Sequence, residues 1–126
     1  EPLFIIAGAH NPIAAKRLKE TIEKDFTNRE IIYIIGVLAD KEHEKMLRLL
    51  LPGAKAVFTV TPDSPRALDG EILAKEARKY ADNIWHVPDI GKAVKMAKET
   101  AKESDVILAV GSLSYLKEVK KALGQG

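Results

Sequence analysis

Cysteine is absent from the 126 residues, which excludes a disulfide framework, a thiolate zinc site and a thiol nucleophile. That absence is compatible with the cytoplasm, which is the expected location. No apolar run approaches the roughly 18 residues of a membrane span, so no membrane partner is expected. Glu1-Pro2 does not begin a signal peptide, and without an initiator Met it points to a processed or excised polypeptide. An excess of charge is missing as well. Twenty basic residues face eighteen acidic ones, for a net +2, and Lys alternates with Glu instead of clustering, so no electrostatic footprint for nucleic acid exists.

Several signatures are missing too. G-x-G-x-x-G and G-x-x-x-x-G-K-[ST] do not occur, which removes a dinucleotide fingerprint and an intact ATP-binding P-loop. No pair of the three histidines has HExxH spacing, so a zinc site is not expected. A receiver domain needs an acceptor Asp at the end of its third strand, where this chain has Thr59 and Thr61. A flavodoxin-like Ser/Thr-rich phosphate loop after the first strand is also wanting.

Five apolar, β-branched runs remain: Leu3 to Ala7, Ile31 to Ile35, Ala56 to Val60, Ile84 to Val87 and Val106 to Val110. Their continuous apolar character fits strands covered on both faces. Helical patterns separate them. Ala15, Leu18 and Ile22 share a face behind an Asn11 cap and Pro12. A second helix is expected from about Lys41 to Leu51, ended by Pro52-Gly53, and a third from about Asp69 to Tyr80 with Ile72, Leu73 and Ala77 inward. Ile90, Ala93, Val94, Ala97 and Ala101 form the fourth stripe, and Leu116, Val119 and Leu123 the fifth. The alternation predicts one domain over 1–126, a three-layer Rossmann-like α/β sandwich. Its sheet of five or six strands is mostly parallel, with helices on both faces.

In such sheets ligands bind beyond the carboxyl ends of the strands. Those positions carry Gly8-Ala9-His10-Asn11, Gly36 with Asp40-Lys41, Thr61 to Arg66, and Gly111-Ser112. Gly8 permits a tight turn, and the following helix offers its N–H groups and dipole to an anion; taken locally, the same residues read first as an ordinary βα turn with a capping Asn. His10 is placed to donate to a ligand oxygen or to cap backbone. Arg66, between Pro65 and Ala67, suits a bidentate carboxylate clamp or a surface ion pair. Asp40, Lys41 and Ser112 have the same double reading as caps or ligand contacts. His43 falls on a charged helix face and is expected in solvent, whereas His86 reads as structural.

Taken in order, Gly8-Ala9-His10-Asn11-Pro12 resembles the D-G-A-H-N-P turn of folylpolyglutamate synthase/dihydrofolate synthase, in the Mur ligase superfamily. Leu38-Ala39-Asp40-Lys41 is similar to its A-D-K-D segment, and Ser64-Pro65-Arg66-Ala67 and Gly111-Ser112-Leu113 follow in place. The resemblance covers essentially the whole chain and is to that family's C-terminal domain. It implies an ATP- and Mg²⁺-dependent amide ligase of folate metabolism, in which the folate carboxylate is phosphorylated and a glutamate amine displaces the phosphate. It implies further that Gly8, His10, Asn11, Asp40, Lys41, Ser64, Arg66 and Ser112 face nucleotide and glutamate, with a central ATPase domain as partner. Ala7 stands where the family motif has Asp, and Ile13 where relatives often carry a second His. The residues that assemble phosphoryl transfer are absent from this chain, so no cofactor bound by it alone and no turnover are expected. An alternative is an engineered or redesigned scaffold derived from that domain, consistent with its helix-favouring Lys/Glu surface.

Overall fold

The computed structural model describes residues 2–9, 11–39 and 42–124. Strands and helices alternate: β1 Leu3–Ala7, α1 Pro12–Asp25, β2 Ile31–Gly36, α2 His43–Leu50 and β3 Ala56–Thr59, then α3 Gly70–Ala77, β4 Ile84–His86, α4 Ile90–Thr100, β5 Val106–Gly111 and α5 Leu113–Gly124. The five strands pair in the order β1-β5-β2-β3-β4, and every pairing is parallel. The expected doubly wound α/β sandwich is therefore present, with five strands.

Side-chain alternation along the strands divides the core. Tyr33, Ile35, Val57 and Leu108 point to the face covered by α1, α2 and α3. Ile32, Ile34, Phe58 and Ile107 point to the face covered by α4 and α5. β2 and β5 are buried along their whole length, because each lies inside the sheet under helices. Each fully buried aliphatic side chain contributes about 1.5–3 kcal/mol. The two large buried polar rings are satisfied, one per face: the Tyr33 hydroxyl donates to Leu50 O at 2.9 Å and that of Tyr115 to Ile34 O at 2.6 Å. Burial raises both phenols above their ordinary range.

Four local expectations need correction. α2 starts at His43, with Glu42 as its N-cap, not near Lys41, which lies outside the described residues. α3 is confined to Gly70–Ala77 and buries Gly70, Leu73, Ala74 and Ala77. Ile72 is 51% exposed, because a stripe through Gly70 and Leu73 turns position 72 outward. β3 and β4 stop one residue early, and β2 and β5 each run one residue further. His43 is not in solvent: its side chain is 16% exposed, with Nε2 2.5 Å from Glu76 Oε2 of α3.

At the amino ends of the strands, Asp105 accepts from Lys55 Nζ at 2.6 Å and from the Lys102 N–H at 2.8 Å. Its side chain is 4% exposed. Burial alone would push the carboxyl up, but the Lys55 and Lys102 hydrogen bonds and charges outweigh it and hold Asp105 below the usual carboxylate range.

Candidate functional site

The winding direction of the sheet creates the site. Helices after β1 and β2 lie on one face, whereas the helix after β5, the strand between them, lies on the other. The chain therefore parts on both sides of β5, leaving crevices at its carboxyl end. The β1, β5, β2 and β3 loops meet along this edge.

They are joined in series. A Cβ on Gly8 would lie 3.7 Å from Leu113 and 3.9 Å from Leu116, so the β1 turn rests against the start of α5. At the β5 end Gly111 has φ +146°, and a Cβ there would lie 1.9 Å from Gly36 O. Only glycine accommodates both the backbone angle and that contact. The Ser112 N–H then donates to Gly36 O at 3.2 Å. Beyond β2, the Ala39 N–H donates to Arg66 O at 2.8 Å and the Leu68 N–H to Val37 O at 3.0 Å, around an antiparallel Leu38–Ala67 bridge. The segment resembling A-D-K-D is thereby tied to the one carrying Arg66.

Within this edge the expected residues play distinguishable parts. The Asn11 side-chain carbonyl accepts from the Ala14 N–H at 2.8 Å, which leaves its amide NH₂ as a donor. Pro12 has no N–H, so Ile13 supplies the one first-turn amide of α1 without a partner among the described residues. An anion there gains one backbone donor and the Asn11 amide, fewer than a phosphate loop provides. Ser112 is buried; its Oγ lies 3.4 Å from the Tyr115 N–H and 3.4 Å from Ser114 Oγ, a helix cap. Ser64 Oγ accepts from the Arg66 N–H at 3.2 Å, which bends its own loop. The exposed Arg66 stands on the Ser64 turn. His10, Asp40 and Lys41 lie outside the described residues.

Ala7 and Ile13, the two departures from the motif, line a shallow hollow of about 390 Å³ with Gly8, Asn11, Arg17 and Leu18. Ile13 is 70% exposed. Among the described residues no group of three or more His, Asp or Glu can hold a metal ion, so no Mg²⁺ is assigned to them. None of their helices is long and apolar enough to cross a membrane.

Periodicity gave no sign of the supports behind the loops. Thr59 Oγ1 donates to Gly70 O at 2.7 Å, and Thr61 Oγ1 accepts from the Gly70 N–H at 2.8 Å. His86 Nδ1 lies 3.2 Å from Thr59 O, and its ring packs where a Gly70 Cβ would sit. His86 is structural, as expected. Glu118 of α5 accepts from the Asp63 N–H at 3.2 Å.

The Mur ligase, glutamate ligase domain family matches residues 1–113. Dihydrofolate synthase/folylpolyglutamate synthase of Bacillus subtilis is 28% identical over 97% of this chain and 28% of its own length. The Mycobacterium tuberculosis enzyme of the same name is 32% identical over 83% of this chain and 23% of its own. Among solved structures, M. tuberculosis folylpolyglutamate synthase complexed with ADP and AMPPCP superposes with a TM-score of 0.86 at 26% identity, over 98% of this chain and 30% of that one. Folylpolyglutamate synthase from Thermotoga maritima gives a TM-score of 0.83 at 28% identity, over 98% and 28%. The chain thus spans under a third of the length of these relatives. On this agreement of sequence, fold and topology, the chain belongs to the Mur ligase glutamate ligase domain family, of the type carried by folylpolyglutamate and dihydrofolate synthases.

Proposed function

We propose that this chain is the ligand-facing module of an ATP-dependent folate:glutamate amide ligase, and that it is catalytically silent by itself. One observation carries the reading: along one sheet edge the Gly8 turn rests against the start of α5, Ser112 bonds to Gly36, and the Leu38-Ala39 segment bonds to the one carrying Arg66. Relatives of this family include a synthase solved with ADP and AMPPCP. ATP supplies the phosphoryl group that activates the folate carboxylate.

Asn11 and His10 present donors to the nucleotide and incoming amino acid. Arg66 holds a carboxylate of glutamate on the rim set by Ser64 and the Leu38–Ala67 bridge. Gly8 keeps the β1 turn low enough for ligand to approach, and the family resemblance adds Asp40, Lys41 and Ser112 to the proposed ligand-facing set. The partner is a central ATPase domain, which brings the phosphate loop and metal ligands. Positioning of this kind contributes through orientation and preorganised charge, not through a nucleophile on the module.

The test is an amide-resolved NMR titration of the chain with ATP, ADP and glutamate, for wild type and A7D. Selective shifts between Gly8 and Ala14 that strengthen in A7D support the module. The apolar pair Ala7 and Ile13 favours a second reading, a redesigned scaffold without ligand function. Unresponsive spectra from both proteins would select it. Folate extension by the isolated chain would overturn the silence proposed for it.

A further inference from the structure

The near balance of charge hides an asymmetry between the two faces of the sheet. α1, α2 and α3 together carry seven basic and six acidic residues. α4 and α5, which pack side by side on the other face, carry Lys92, Lys95, Lys98, Lys117, Lys120 and Lys121 against Glu99 and Glu118. These two helices hold +4, leaving −2 for the rest of a chain whose net charge is +2. Alternation of Lys with Glu therefore describes the first face and fails on the second.

All six lysines are exposed, and none has an ion pair among the described residues. Glu118 is engaged by the Asp63 N–H at 3.2 Å. The five arginines of the chain all lie outside α4 and α5. Lys presents a point charge without the planar fork of Arg, so the face suits a flexible succession of anions. Because α4 and α5 each follow a parallel strand, both start at the carboxyl edge and run away from it. α5 starts against Gly8, and by the helical rise Lys117 and Lys121 stand about 6 and 12 Å beyond Leu113. They share one side of the helix at i,i+4.

We infer that the α4–α5 face is a docking surface for the oligoglutamate tail of the ligase substrate. The inference rests on the ligase reading above and adds the tail to it. Repeated addition of glutamate, which the name of the folylpolyglutamate synthase relatives denotes, joins each new amine to one carboxylate and leaves another free. The product is a flexible chain with one negative charge per residue. A row of unpaired lysines that begins at the ligand edge is its charge complement.

Hexaglutamate titrated into the ¹⁵N-labelled chain is expected to shift amides of α4 and α5, with an affinity that falls as salt is added. K117Q/K121Q changes exposed positions and should weaken binding about fivefold, the scale of two surface charge pairs; K75Q, on α3, should leave it unchanged. No shift at millimolar hexaglutamate, or an affinity indifferent to K117Q/K121Q, would overturn the inference. So would equally tight binding of a thymidine heptanucleotide of the same net charge, which would give the face to nucleic acid. With this chain in place of the matching segment of the Bacillus subtilis synthase, K117Q/K121Q should raise KM for pteroylpentaglutamate about fivefold and leave KM for pteroylmonoglutamate unchanged. The same effect on both substrates, or on neither, would also overturn it. An unmutated chimera without turnover on pteroylmonoglutamate contradicts the ligase reading instead, and the hexaglutamate titration then decides the face by itself.

Discussion

At the scale of single residues, the tightest constraint is at Gly111. Its φ of +146° and the 1.9 Å that would separate a Cβ from Gly36 O leave no relaxation short of moving β2 from β5. Gly111→Ala is expected to cost upwards of about 3 kcal/mol, read as a lowered urea midpoint; a cost under 1 kcal/mol would show that the two strand ends part freely. Asp105 gives a pH prediction. Its folded carboxyl titrates below the unfolded value of about 3.9. Its contribution is therefore complete above that value and is lost as pH falls through the folded one. The stability gap between wild type and Asp105→Asn should hold from pH 7 to about 5 and then narrow. A gap that stays constant to pH 2.5 would refute this. Thr59→Val keeps the buried shape but leaves Gly70 O without its donor, and should cost about 1–3 kcal/mol.

At the scale of elements, what the chain declares of itself depends on how local the cause is. The strands were legible because burial on both faces makes Ile31–Ile35 and Val106–Val110 continuously apolar. The start of α1 was legible because Asn11 and Pro12 are a local cap. Removing that cap with Asn11→Ala should cost about 1 kcal/mol, measurable by thermal or urea unfolding. The face of α3 was not legible: Ile72 and Leu73 are equally apolar, and the choice between them is made by Thr59, Thr61 and His86 gripping Gly70 from other elements. His43 is the same case, since its partner Glu76 sits on another helix. The residues of the candidate edge were visible as strand-end loops. Their joining through Gly36–Gly111 and Leu38–Ala67 was not, because the first arises only when β5 pairs with β2 and the second only when β3 does.

At the scale of the whole molecule, the fold places two chemically different ends on one sheet. The carboxyl end gathers donors, an exposed Arg66 and glycine-dependent close approaches. The amino end has the Lys55–Asp105 clasp. The chain covers under a third of its relatives, which fits the division of labour proposed here, with positioning on this module and phosphoryl transfer on another. Ala7 and Ile13 mark where the candidate edge departs from the family motif, so on the proposed reading a ligase carrying this module should work more weakly and be partly restorable.

The most direct measurement replaces the matching segment of the Bacillus subtilis synthase with this chain and follows ATP- and glutamate-dependent extension of folate. The account predicts turnover by the chimera below that of the parent, an increase with A7D, loss with Arg66→Ala, and none from the 126-residue chain alone. A folded chimera that is inactive both with and without A7D, or whose activity ignores Arg66→Ala, would contradict it.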